Sequence, residues 1–274
     1  MENIEKVNLS VILPTYKRDK ILCNTLSQLL KQNPAPLEII VIDQTKTHEP
    51  QVRQFLDDLI AKRKITYVYQ EEPRANRARN QAVAMAAADI VLILNDDIVI
   101  DEHLIGAHFR NFSDPAIGAV SGLVYEHTDQ KAYELPAKFF WMFTGWMYFP
   151  LNFGRRTEVI NLNACNLSIR KSLFVESGGF DENFVKTSYD DSDLSLRVHK
   201  LCVKKEYKTI HDPQAWLIHL LEPTAAGENR PSGYNEYVIA DRHTWKTWLY
   251  YFFINYGIFS AVEIALKLRR CVFR

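Results

Sequence analysis

The chain has 274 residues, of which 47% are apolar, enough for one large domain or a domain with an appendage and too apolar for wholesale disorder. Lysine plus arginine and aspartate plus glutamate both number 33, so the formal charge is zero; the basic excess of a general nucleic-acid binder is missing and no nucleic-acid partner is expected. The cysteines, Cys23, Cys165, Cys202 and Cys271, are scattered without a C-x-x-C pair, and read as reduced residues of a cytoplasmic protein rather than a disulfide frame or a zinc site.

The polar N-terminus leads at once into a strand, without an apolar signal segment, so secretion by that route is not expected. The apolar run 9–13 predicts a short strand stopped by Pro14. Asp19 is placed to cap a helix whose buried face carries Leu22, Leu26, Leu29 and Leu30. Residues 38–43 predict a second strand, and Pro50 opens a helix through Val52, Phe55, Leu56, Leu59 and Ile60. Residues 65–69 predict a third strand, the alanine-rich stretch 74–88 a helix, and the wholly apolar run 90–94 a fourth strand buried on both faces. This β-α alternation is the signature of a doubly wound parallel sheet. Beyond Leu123 the pattern changes. An aromatic-rich loop is expected over residues 138–156, and a Gly178-Gly179-Phe180 turn before a helix over 194–202. Short strands are expected over 206–210 and 215–219, and a helical, aromatic tail over 234–274.

The chemistry gathers at strand ends. In open α/β sheets ligands bind in the crevice outside the carboxyl ends of the strands. Pro14-Thr15-Tyr16 follow the first strand, Asp43 ends the second, residues 74–80 follow the third, and Asn95-Asp96-Asp97 follow the fourth. Carboxylates held together there suit a hard divalent cation and a phosphate-bearing ligand. An aromatic ring beside a carboxylate suits a nucleoside, and Arg74, Arg77 and Arg79 offer forked donors to phosphate. A second acidic cluster, Asp190-Asp191-Ser192-Asp193, lies far downstream.

Six motifs occur in order: Pro14-Thr15-Tyr16, Val41-Ile42-Asp43, Ala78-Arg79-Asn80, Leu94-Asn95-Asp96-Asp97, Gly178-Gly179-Phe180-Asp181-Glu182 and Asp190-Asp191-Ser192-Asp193-Leu194. In order and approximate spacing they resemble family 2 glycosyltransferases, over about residues 7–219. The resemblance implies an inverting enzyme with the GT-A fold, a Rossmann-like α/β architecture whose mostly parallel central sheet is flanked by helices. It implies that Thr15 and Asp43 contact the nucleoside of a nucleotide-sugar donor and that Arg79 lies near the diphosphate. Asp97, at the last position of the D-x-D motif, would bind Mn²⁺ or Mg²⁺. Asp191 would be the catalytic base, and His219 matches a late histidine that joins the metal shell in some members. The donor-binding candidates are then Pro14, Thr15, Tyr16, Asp43, Arg74, Arg79, Asn95 and Asp96; the metal candidates are Asp97 and His219; the base is Asp191 or Asp190.

The chain departs from the family pattern twice. The D-x-D motif begins with Asn95, and the E-D pair reads Asp190-Asp191, which leaves the choice of base open. Plainer roles compete for the same residues. Asp96 and Asp97 suit caps for a helix after Ile100, Asp190, Asp191 and Asp193 suit an acidic helix start, and His219 suits a structural position. Residues 1–222 are expected to form the catalytic domain, with a donor half over 1–123, an acceptor half over 124–222, and a helical extension over 223–274. The acceptor would be a glycan or a lipid-linked sugar in polysaccharide or glycoconjugate assembly at the cell envelope. The aromatic loop and the basic-flanked tail suit either packing on the domain or a peripheral position on the cytoplasmic face of a membrane. The rival readings are a nucleotidyltransferase on a similar sheet, which would want a Gly-rich loop after the first strand, and a non-catalytic, membrane-associated interaction protein.

Overall fold

The computed structural model describes residues 6–126, 154–184 and 190–220. The expected aromatic loop as far as Phe153 and the extension over 223–274 lie outside the described residues. Strands β1 (Lys6–Thr15), β2 (Ala35–Asp43), β3 (Thr66–Tyr69) and β4 (Ile90–Leu94) alternate with helices α1 (Asp19–Leu29), α2 (Pro50–Ala61) and α3 (Ala75–Met85). These strands are parallel and lie side by side in the order β3-β2-β1-β4.

Side-chain alternation builds a core on each face of this sheet. Val7, Leu9, Val11 and Leu13 of β1 pack with Leu22, Leu26 and Leu29 of α1 and Leu56 of α2. Ile12 of β1 points the other way and joins Ile40, Ile42, Val91 and Ile93 against Ala78, Ala82 and Val83 of α3. The small alanines let α3 lie close on the sheet. Each large aliphatic side chain buried here contributes about 1.5–3 kcal/mol.

The chain continues through β5 (Ile98–Val99), α4 (Leu104–Asn111), β6 (Ile117–Glu126), β7 (Thr157–Glu158), β8 (Asn166–Arg170), α5 (Lys171–Glu176), α6 (Asp190–Lys205) and β9 (Lys208–His219). The sheet order runs on from β4 as β8-β6-β9-β5, with β7 also beside β9. Strand β8 is antiparallel to both β4 and β6, while β9 is parallel to β6. The sheet is therefore parallel in its first half and mixed beyond. Among the described residues no helix is long and apolar enough to cross a membrane.

Several local expectations are corrected. Strand β1 runs through Pro14, which pairs with Ile42, because pairing to β4 has already ended at Ile12 and a missing N–H is tolerated there. Asp19 does not cap α1; its carboxylate instead meets His48 Nδ1 at 2.8 Å and accepts from Glu49 N at 2.8 Å. Asp96 and Asp97 are not caps either, since β5 follows them and α4 begins at Leu104 after His103. Helix α6 starts at Asp190, so the second acidic cluster forms its first turn, where carboxylates suit the positive end of the helix. The two short late strands are one, β9, with an irregularity: Gly122 pairs with Asp212 but Leu123 with Trp216.

Asn166 fills that irregularity. Its Nδ2 donates to Leu123 O at 3.1 Å and to Ala215 O at 2.8 Å, joining β6 to β9. Its Oδ1 therefore faces His108 Nε2, at 2.7 Å, which must carry the proton. His108 Nδ1 is then left to accept from the Ser168 hydroxyl at 2.7 Å. This fully buried network locks α4, β6, β8 and β9 together.

Candidate active site

Because β1 to β4 are parallel, their C-terminal ends share one rim, with Thr15 opposite Asp43 and Asp43 opposite Tyr69. Pro14 and Thr15 are buried and Tyr16 is half-buried, with Lys17 Nζ 5.1 Å from the centre of its ring. Asp43 reaches the rim with no exposed surface. One of its oxygens accepts from Thr45 N at 2.7 Å; the other faces Tyr67 Oη at 3.2 Å and His48 Nε2 at 3.0 Å. Burial and the neighbouring Asp43 charge push the Tyr67 phenol well up, so it stays a donor. Asp43 here shapes the loop that follows β2 rather than offering a bare carboxylate.

The fourth strand delivers Asn95, Asp96 and Asp97, and the two carboxylates part company. Asp96 turns toward β1: Thr15 Oγ1 donates to its Oδ2 at 2.7 Å and Arg18 Nη1 to its Oδ1 at 2.6 Å. Thr25 Oγ1 holds its backbone oxygen at 2.5 Å. Burial, followed by the Asp97 charge, pushes the Asp96 carboxyl up against the pull of Arg18 and Thr15. Asp97 faces β9, where His219 Nε2 lies 3.1 Å from its Oδ1, and Arg18 Nη1 approaches the same oxygen at 3.0 Å. Burial alone would raise the Asp97 carboxyl, but the bond and charge of His219 and the charge of Arg18 outweigh it and hold it below the usual range. The Asn95 amide sits 3.2 Å from His219 Nε2. The register explains the meeting: His219 pairs with Ile98 in β5, immediately after Asn95-Asp96-Asp97.

The second cluster comes to the same rim through β8. Leu94 pairs with Asn166, so the residues entering β8 lie beside those leaving β4. Ala164 N donates to Asp191 Oδ2 at 3.2 Å, placing half-buried Asp191 against that entry. Cys165, the next residue, senses both sides: burial first, then the charges of Asp97 and Asp191, drive its thiol far up. The charges of Asp97 and Asp191 are thus both felt at this one buried residue. Asp190 turns the other way. Its Oδ2 pairs with Arg79 Nη1 at 3.0 Å, both side chains being almost fully buried. Arg79 also donates to Asn76 Oδ1 at 2.9 Å and lies 5.1 Å from the centre of the Phe180 ring. Phe180 is fixed by Asn80, which donates to Phe180 O at 2.8 Å and accepts from its N at 2.9 Å. The positive φ of Gly178 and Gly179, 86° and 66°, permits the turn that brings Phe180 there.

The other arginines stay outside this cluster. Arg74 Nε pairs with Glu72 at 3.0 Å and Arg77 Nη1 with the same residue at 3.5 Å, both at the surface. Arg18 received no role from the sequence, although it stands as a basic residue three positions after the end of β1, in Pro14-Thr15-Tyr16-Lys17-Arg18. The Ala164 amide had no sequence signal, since only the antiparallel β4–β8 pairing puts it here.

Among the described residues no group of three or more His, Cys, Asp or Glu side chains is arranged to hold a metal. What converges is one carboxylate and one imidazole, Asp97 and His219, with the Asn95 amide beside them. A Mn²⁺ or Mg²⁺ ion bound through one or two protein groups, with phosphate oxygens and water completing its shell, fits such a sparse set. A dedicated all-protein cage does not.

The sequence profile of Glycosyl transferase family 2 matches residues 10–176, more than half of the chain, and stops short of Asp190 and Asp191. A validoxylamine A glucosyltransferase of Streptomyces hygroscopicus subsp. limoneus is 26% identical over 232 residues, covering 70% of this chain and 48% of that protein. A glucosyl-dolichyl phosphate glucuronosyltransferase of Haloferax volcanii is 22% identical over 227 residues, covering 78% of this chain and 70% of that one. The chain thus spans about half the length of the first of these relatives. Among solved structures, a mannosyltransferase from Pyrobaculum calidifontis in complex with GDP-Man and Mn²⁺ superposes with a TM-score of 0.59 at 19% identity, over 80% of this chain and 58% of that one. GalNAc-T7 with UDP, GalNAc and Mn²⁺ gives 0.61 at 13% identity, over 80% and 44%. The fold is the GT-A glycosyltransferase fold, and the chain belongs to glycosyl transferase family 2.

Proposed function

We propose that this chain is a metal-dependent, inverting glycosyltransferase that moves a sugar from a nucleotide-sugar donor to a hydroxyl of a glycan or lipid-linked acceptor. The observation that carries this reading is the convergence of Asp97 with His219 and, where the chain enters β8 beside the end of β4, of Asp191 with Ala164 N. The GDP-Man and Mn²⁺ bound by one solved neighbour, and the UDP, GalNAc and Mn²⁺ bound by the other, support a nucleotide-sugar donor. The dolichyl phosphate in the name of the Haloferax relative supports a lipid-linked acceptor.

The residues divide the work. The rim from Thr15 to Tyr16 and the loop ordered by Asp43 would receive the nucleoside. Asp97 and His219 would hold Mn²⁺ or Mg²⁺, which when bound neutralises charge on the departing diphosphate. Asp191 would take the proton from the acceptor hydroxyl as its oxygen attacks the anomeric carbon. The bond from that carbon to the phosphate oxygen breaks, and the nucleoside diphosphate leaves with the electron pair. One base opposite the leaving group gives inversion; a retaining double displacement needs a nucleophile as well. Asp190 is the weaker candidate for the base because Arg79 already neutralises it in a buried pair. Arg79 then acts as a support for the turn of helix that presents Asp191, rather than as a direct phosphate contact.

Asp191→Asn is expected to lower turnover by about 10²–10⁴-fold while leaving nucleotide binding and thermal stability near wild type. Asp97→Ala is expected to abolish metal-stimulated transfer. Release of nucleoside diphosphate from a panel of nucleotide sugars, with and without Mn²⁺, measures both; full turnover in either variant would refute the assignment.

A further inference from the structure

We propose that Arg18 is a resident counter-cation of the metal site. It holds Asp97 while no divalent ion is bound, yields it when the ion arrives with the diphosphate, and so makes ion binding depend on the nucleotide. This rests on the metal-assisted reading above and assigns within it a residue that the family motifs leave aside.

Adjacent buried carboxylates repel one another and cost energy unless a cation lies between them. Arg18 meets that need, with its Nη1 2.6 Å from Asp96 Oδ1 and 3.0 Å from Asp97 Oδ1. The two contacts differ in kind. Asp96 is anchored from below, by Thr15 Oγ1 on its other oxygen and by Thr25 on its backbone. The Asp97 oxygen is also the one His219 Nε2 approaches at 3.1 Å, so Arg18 occupies the place where the two groups that would hold the ion meet. A guanidinium keeps its charge at any working pH. Left in place it would stand a few ångströms from a divalent ion and oppose its binding. A diphosphate reverses the balance by offering the forked donor a new partner. The Arg18 side chain is 12% exposed, so it borders the open rim from which the donor comes. Asp96 is then the pivot that keeps Arg18 at the site as it exchanges Asp97 for phosphate.

The test is Mn²⁺ binding to the purified full chain, read from the free-ion signal in electron paramagnetic resonance, without nucleotide and with UDP or GDP. R18Q is expected to bind Mn²⁺ alone at least tenfold more tightly than wild type and to lose most of the gain that nucleotide brings. R18K, which keeps the charge, should stay within about threefold of wild type. D96N removes the pivot, leaves Arg18 on Asp97, and should weaken nucleotide-free binding at least threefold. R18A carries the same expectation if R18Q does not fold. Nucleotide-free affinity that is unchanged in R18Q, or unchanged or tighter in D96N, overturns the role of Arg18 while leaving the metal reading intact. No Mn²⁺ binding by wild type with either nucleotide overturns both.

Discussion

Gly122→Ala should be among the most damaging single-methyl additions to this chain. Gly122 sits on β6 where the pairing to β9 jumps from Asp212 to Trp216. A Cβ there would run into the carbonyl oxygen of Ala215 and the side-chain amide of Asn166, and lie 2.7 Å from Asn166 Cγ. One obstacle is backbone and cannot swing away. The other is Asn166, whose Nδ2 serves Leu123 O and Ala215 O. Overpacking costs about 1–3 kcal/mol, and each buried carbonyl left without its donor about 1–3 kcal/mol more. With both carbonyls orphaned the sum is about 3–9 kcal/mol, a large part of the 5–15 kcal/mol typical of a domain. Gly118→Ala is the milder comparison, because its Cβ would meet side-chain atoms only, Leu173 Cδ2 at 2.8 Å, Tyr207 Cβ at 3.1 Å and Cys202 Sγ at 3.3 Å, and no backbone oxygen. Urea unfolding followed by circular dichroism should rank Gly122→Ala well below Gly118→Ala. A Gly122→Ala protein within about 0.5 kcal/mol of wild type would refute the idea that Asn166 and this close approach hold β9, and with it His219, in place.

Arg79→Met strands Asp190 in a buried site and should cost about 3–5 kcal/mol; adding Asp190→Leu should recover much of that loss, and a double-mutant cycle in urea checks it. His108 carries a pH signature. Burial, set against the Asn166 bond, pushes it down from 6.5 to about 4, so the unfolded chain binds the extra proton first as pH falls. The stability tied to neutral His108 is complete above about pH 6.5 and is lost progressively toward pH 4. The loss amounts to roughly 3 kcal/mol. Unfolding free energies measured from pH 7.5 to 4 should show this slope in wild type and a shallower one in His108→Gln.

The first half of the fold was legible because its signals are local. The apolar runs of β1, β2 and β4, Pro50 at the head of α2 and the alanines of α3 each declare their element within a dozen residues. What failed depended on partners elsewhere. Pro14 reads as a strand breaker until the early end of β4 pairing is known. Asp19 reads as a cap until His48 and Glu49 are found against it. The site followed the same division. Asp97 and Asp191 were legible as motif positions, but that Asp96 turns to Thr15, that Asp190 is held by Arg79, and that Arg18 spans two carboxylates are facts of tertiary packing.

The pairing of β4 with β8 also bears on how the molecule comes together. The wholly buried β4 gains its second neighbour only when residues 166–170 arrive, after the donor-side strands have been synthesised. Until then Ile90–Leu94 is a bare apolar edge, the kind of surface that recruits other chains into aggregates. The strand that covers it is also the one whose approach brings Ala164 to Asp191. Shielding the nascent sheet and completing the proposed reaction centre are thus a single docking event, and it spans long stretches of sequence, which makes it slow. Variants that weaken β8 should therefore be lost to inclusion bodies during expression before any defect in turnover is measured.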